Sequence, residues 1–118
     1  MATIQKKLLS ASMSGQNVLV TGESPNQITT LHSTSTASSV NADEIYLYAY
    51  NSKNDDVDLT VYWGPTGFSN ELKVTIPYQA GRYMIVDGKL LMSGLSVTAF
   101  CSSGSGINID GYVNRFIY

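Results

Sequence analysis

The chain has 118 residues, only 14% of them charged, and a net charge of −2. That length supports one domain whose core needs neither disulfide nor metal, since a chain of this size removes roughly two-thirds of its unfolded surface from water. Seven basic residues, with Lys6–Lys7 the one adjacent pair, are too few and too scattered for a nucleic-acid or anionic-membrane footprint, and the single Cys101 excludes an internal disulfide.

The first sixteen residues show no clean period. They are expected to form an N-terminal arm, either extended or with a helical turn over 6–12. The serines after Leu8 and Leu9 break the apolar stretch at once, so no secretion signal is read and synthesis in the cytoplasm is expected. No apolar run reaches the ~20 residues of a membrane-spanning helix.

Residues 17–22 (NVLVTG) read as a short strand stopped by Gly22, and residues 23–26 as a turn around Pro25. Residues 27–36 are β-branched and alternating, and the serine-threonine run that follows reads as a loop. The strongest signal comes next: DEIYLYAYNS and DLTVYWG are two strands joined by the turn-rich SKNDDV, and are expected to pair as a hairpin. Val57, Leu59, Val61 and Trp63 alternate with polar positions and are expected to face inward. GPTGFSN is a loop; ELKVTIP and RYMIVDG are strands, with Asp87–Gly88 expected as a turn and residues 89–94 as irregular. LSVTAFCSS and INIDGYVNRFIY complete the set. About eight short strands at roughly ten-residue spacing predict an all-β, single-domain antiparallel β-sandwich, or jelly-roll-like fold, over residues 17–118.

Catalytic and ligand chemistry is sparse. His32 is the one histidine and lacks a G-x-S-x-G elbow, so it reads as a polar strand residue. Cys101 lies in an alternating run and reads as a small core residue. Asp55, Asp56 and Asp58 lack the spacing of a calcium loop and read as a solvated loop tip. The glycines of GSGIN lack both the Walker lysine and the GxGxxG spacing. Asp43 and Glu44 are adjacent, point to opposite faces of a strand, and are not a catalytic pair. No metal, no cofactor, no glycosylation sequon and no enzymatic reaction is expected. Trp63, Phe68 and Tyr62 beside the rigid GPTGF loop form the case for a carbohydrate-binding module, opposed by the inward phase of Trp63.

The segment EIYLYAYN places Tyr46, Tyr48 and Tyr50 on one face of a strand whose other face is Ile45, Leu47 and Ala49. Tyr62 and Tyr112 are expected to join them. Three tyrosines alone offer on the order of 500 Å², near the limit of what a monomer leaves exposed. Either the arm or the serine-threonine loop covers that face, or another subunit does. Tyrosine suits the second role, with an apolar ring and a hydroxyl that still finds a partner.

Asp43 to Asn51, Val57 to Gly64 and Ile107 to Arg115 resemble strands of a group of small virion structural proteins of tailed bacteriophages. The resemblance covers roughly residues 40–118. It implies a virion protein made in the bacterial host cytoplasm, most like a capsid decoration or cement protein that joins neighbouring major capsid subunits. It also implies a homo-oligomer, a trimer by preference, with Tyr46, Tyr48, Tyr50, Tyr62 and Tyr112 as subunit or capsid contacts. A neck, tail or fibre-base component fits the same pattern.

Overall fold

The computed structural model describes residues 3–36 and 41–117. Nine strands follow in order: β1 (Thr3–Leu8), β2 (Val18–Val20), β3 (Thr29–Ser33), β4 (Ala42–Asn51), β5 (Val57–Trp63), β6 (Glu71–Ile76), β7 (Tyr83–Met92), β8 (Ser96–Cys101) and β9 (Ile107–Ile117). One short 3₁₀ turn, Phe68–Asn70, precedes β6. All strand pairs are antiparallel. One sheet has the order β1-β9-β4-β7, with β2 also on β9; the other has the order β3-β8-β5-β6. Strands β2 to β9 are therefore divided between the sheets as 2-9-4-7 over 3-8-5-6, with β5–β6 the one pair of consecutive strands in the same sheet, the jelly-roll order. The all-β sandwich expected from the sequence is the fold observed.

Two aliphatic faces make the core. Ile45, Leu47 and Ala49 of β4 and Ile107, Ile109 and Val113 of β9 meet Leu59 and Val61 of β5 and Val97, Ala99 and Cys101 of β8, all buried. This arrangement corrects the expected hairpin: β4 and β5 lie in different sheets. β4 pairs β9 over ten positions, from Ala42↔Phe116 to Asn51↔Ile107, a longer ladder than the seven-residue β5 could offer. Segregating the two strands also lets their aliphatic faces oppose each other across the sandwich; in one hairpin both would look out of the same side. Residues 52–56 thus arch between sheets.

Asp87–Gly88 is not a turn. It lies inside the continuous strand β7, where the register to β4 shifts between Ile45 and Tyr46, and Gly88 takes φ 79° as the extra residue of a bulge. A Cβ there would stand 3.1 Å from the Tyr46 hydroxyl. Residues 89–92, expected to be irregular, continue the strand past the bulge.

The arm is extended, without the helical turn. β1 pairs β9 from Thr3↔Ile117 to Leu8↔Tyr112, and all six of its residues are exposed. Beyond it the chain dips inward at Leu9, which is buried in the core. The Ser10 amide then donates to His32 Nδ1 (3.0 Å), the Ser33 amide donates to Ser10 Oγ (2.7 Å), and the Ala11 amide donates to the Leu31 carbonyl (3.3 Å). These bonds close the side of the sandwich between β9 and β3.

Candidate functional site

The outer face of the β1-β9-β4-β7 sheet is built in cross-strand rows. Residues paired directly in an antiparallel ladder share a face, so the registers fix each row. At one end lie Ile4, Phe116, Ala42 and Met92; next come Lys6, Asn114, Glu44 and Leu90; then Leu8, Tyr112, Tyr46 and Asp87. Asp110, Tyr48 and Met84 follow, and Leu19, Asn108 and Tyr50 end the face. Ile4, Leu8, Leu19, Met84, Leu90 and Met92 are all exposed. A ten-residue strand is about 33 Å long and four strands side by side are about 19 Å wide, so the face spans roughly 600 Å².

Its centre is pre-arranged. The rings of Tyr46 and Tyr112 stack with centroids 4.7 Å apart, and the Lys6 ammonium sits 4.5 Å above Tyr112. The Arg82 guanidinium lies 3.6 Å over the Tyr48 ring and donates through Nε to Asp110 Oδ1 (3.2 Å). The Tyr50 hydroxyl donates to the other oxygen of Asp110 (3.0 Å). Tyr46 donates to Glu44 Oε1 (2.8 Å), which Asn114 also reaches (3.2 Å). The hydrogen bond to the Glu44 carboxylate pushes the Tyr46 phenol up to about 12. Burial and the bond to Asp110 likewise push Tyr50 upward. The face carries both signs of charge, Lys6 and Arg82 against Glu44, Asp87 and Asp110, with Arg82 and Asp110 paired. Gly111 makes the central stack attainable: a Cβ at this position of β9 would collide with the Tyr46 carbonyl oxygen.

Tyr46, Tyr48, Tyr50 and Tyr112 are therefore together. Tyr62 is not. It points out of the opposite sheet, where it is buried with its ring tilted against Phe100 at 6.0 Å. The arm does not cover the tyrosines: β1 lies beside β9 and extends the face by a strand. Of the serine-threonine loop, residues 37–40 lie outside the described residues. The sequence reading missed Met84, Leu90, Met92 and Arg82. Two register shifts in the β4–β7 ladder move the inward and outward phase of β7 twice, so its alternation cannot be followed by eye.

The remaining candidates fall elsewhere. Trp63 is in the core with its indole N–H donated to the Leu90 carbonyl (2.9 Å), as its phase predicts. The side chain of Phe68 lies outside the described residues. Cys101 is fully buried, and burial pushes its thiol upward. Among the described residues no group of three or more His, Cys, Asp or Glu side chains could hold a metal ion, and no helix is long and apolar enough to cross a membrane.

His32 is more than a polar strand residue. A register shift between Thr30 and His32 turns both Leu31 and His32 inward. His32 Nε2 lies 2.6 Å from Asp43 Oδ2, and Arg115 clamps the same carboxylate through Nε (2.7 Å) and Nη2 (2.9 Å). Because Nδ1 accepts the Ser10 amide, Nε2 carries the proton and donates to Asp43. The network ties β3 of one sheet to β4 and β9 of the other. It is not a nucleophilic triad, since the Ser10 amide, and not a hydroxyl, occupies the other ring nitrogen. No protein-family model matches the chain, and no curated protein or solved structure matches it either.

Proposed function

We propose that the chain is a non-enzymatic virion structural protein, a capsid decoration or cement protein whose outer β4 face docks on the assembled shell or on a sister subunit. One observation carries this reading: an ordered face of stacked tyrosines and exposed Ile, Leu and Met side chains, of roughly 600 Å². The whole face, polar rows included, is at the upper end of the patches a monomer exposes and is somewhat smaller than the ~800 Å² each partner gives to a standard interface. The tyrosines and Arg82 are of the residue types that anchor interfaces, and their partners on the same face hold them in place before binding.

Two further points support it. Strands β4, β5 and β9 carry the residues that resemble small tailed-phage virion proteins. Jelly rolls also recur in viral capsid domains, although a fold alone does not assign a function. A protein that binds only the assembled shell stabilises it by mass action, and a lattice of copies adds avidity. Association as a trimer around local three-fold positions of the shell fits this reading, and neck, tail or fibre-base placement is the alternative.

The test is co-sedimentation of the chain with assembled shells of a tailed phage whose cells produce it. Wild-type chain should travel with the shells, and Tyr48→Ser should remain at the top of the gradient while staying folded. Binding to tails or necks instead would favour the alternative. Loss of fold in Tyr48→Ser would make the tyrosines ordinary packing residues and remove the support for a docking face.

A further inference from the structure

The opposite sheet carries a groove of different chemistry. Outward side chains of β6 and β5, with Ser102 just past the end of β8, form the row Thr75, Asp58, Ser102, and beside it β6, β5 and β8 supply the row Lys73, Thr60, Phe100. Above them Glu23, on the loop between β2 and β3, forms a wall. Together they line a cavity of about 450 Å³. A second cavity of about 370 Å³ adjoins it, shares Lys73 and Phe100, and continues past Pro25 to Tyr62 and Glu71. Phe100 is thus the aromatic floor common to both, half-exposed and braced by Tyr62 at 6.0 Å.

The polar groups are held in place. The Thr75 hydroxyl donates to Asp58 Oδ1 (2.8 Å), and the Asp58 and Ser102 main chains and hydroxyl interlock through Asp58 N–H to Ser102 Oγ (2.9 Å) and Ser102 N–H to the Asp58 carbonyl (2.8 Å). Glu23 accepts the Gly104 amide through Oε2 (2.7 Å). Each carboxylate is therefore fixed through one oxygen. The other oxygens, Asp58 Oδ2 and Glu23 Oε1, accept no hydrogen bond from the described residues. Acceptors already held by hydrogen bonds lose little entropy when a ligand arrives.

This chemistry selects among ligands. Glu23, Asp58 and Glu71 surround one ammonium, Lys73, which is itself paired with Glu71 at 3.2 Å. An anionic ligand is repelled. An apolar ligand finds a single ring for a floor and polar walls. A pyranose meets both demands at once: its C–H face packs on an aromatic ring, and its neighbouring hydroxyls donate to ionised carboxylates and accept from a serine hydroxyl. We propose that this groove is an oligosaccharide-binding site, with a neutral sugar ring on Phe100 and its hydroxyls on Asp58, Glu23 and Ser102. The volume lies within the range of small-ligand sites and admits roughly two sugar rings. Trp63, the aromatic that the sequence put forward for a sugar, has no part in it.

The site lies on the sheet away from the tyrosine face. It remains open when that face is covered, and its test does not depend on the docking reading.

The experiment is an amide-correlation NMR titration of the full chain with maltohexaose, cellohexaose, xylohexaose, mannohexaose and chitotetraose, each to roughly 10 mM, a range that captures millimolar dissociation constants. At least one saccharide should shift the amides of Asp58, Thr75, Phe100 and Ser102 with a Kd of roughly 0.1–1 mM. Phe100→Ala should weaken it about tenfold. Asp58→Asn, at an exposed position, should weaken it with the rest of the spectrum unchanged, and decides the matter if Phe100→Ala does not fold. Silence across the panel overturns the proposal, as do shifts confined to other surfaces or wild-type affinity in a folded Asp58→Asn. Binding of a tetra-arginine peptide in place of any sugar would also overturn it, reassigning the groove to a basic segment.

Discussion

Asp43 carries the largest single burden in this fold. Its carboxylate is almost fully buried, yet it is ionised because Arg115 and His32 donate three hydrogen bonds to it. Burial alone would raise its pKa, but the bonds from Arg115 and His32 outweigh that and hold it below its ordinary value. Removing the carboxylate leaves His32 and Arg115 without their partner. Asp43→Ala should therefore cost about 3 kcal/mol in urea denaturation, the low end for broken buried pairs, because Arg115 keeps some contact with water.

His32 makes the stability pH-dependent. Burial pushes its pKa below the ordinary 6.5, against the attraction of Asp43 and with the help of the Arg115 charge. The folded protein then binds fewer protons at His32 than the unfolded chain does, so stability falls as pH drops below about 6.5. Asp43 adds a second loss below its ordinary 3.8. Urea midpoints at pH 7.5 and pH 5.0 should differ in the wild type, and the difference should shrink in His32→Gln, which keeps a donor toward Asp43 but does not titrate. Equal midpoints in the wild type would mean that His32 is solvated in the folded state. Cys101 gives the converse case: buried, its thiol shifted upward, and its S–H directed to the Ser103 carbonyl (3.1 Å). It should resist alkylation by iodoacetamide in buffer and react fully in denaturant.

Strands obey the sequence where their phase is unbroken. β4 and β5 keep one phase along their length, and their inward residues were legible as Ile45, Leu47, Ala49, Val57, Leu59, Val61 and Trp63. β3 and β7 carry register shifts, and there the phase fails: His32 turns inward and the outward set Met84, Leu90 and Met92 emerges. Partner choice was hidden for a different reason. Sequence adjacency favours a hairpin between β4 and β5, but the ten-position match of β4 to β9 is a property of two segments some sixty residues apart. The same separation conceals Tyr62, whose phase was read correctly but whose sheet was not. The bulge at Gly88 gives this scale its prediction. Gly88→Val puts a β-branched residue at φ 79° and 3.1 Å from Tyr46. It should cost about 1–3 kcal/mol and unstack Tyr46 from Tyr112, seen as a change in the near-ultraviolet tyrosine dichroism.

At the scale of the whole molecule the two outer faces differ in kind. One is wide, aromatic and studded with exposed Ile, Leu and Met; the other is grooved and lined by carboxylates and hydroxyls around one ring. A protein that functioned alone would gain nothing from the first face and would risk aggregation through it. The ion pair Arg82–Asp110 and the Glu44 carboxylate, which accepts from Asn114, keep polar groups on that face. Light scattering across a dilution series separates the two ways of covering it. A stable trimer that becomes monomeric in Tyr48→Ser would place the face between sister subunits. Tyr48→Ser should change monomer stability by less than about 1 kcal/mol, since its ring lies on the surface under Arg82. A strict monomer at every concentration would count against a face buried between sister subunits in solution. A trimer unaffected by Tyr48→Ser would locate the subunit contact elsewhere, with the exposed strand β1 at the free edge of its sheet the next surface to alter.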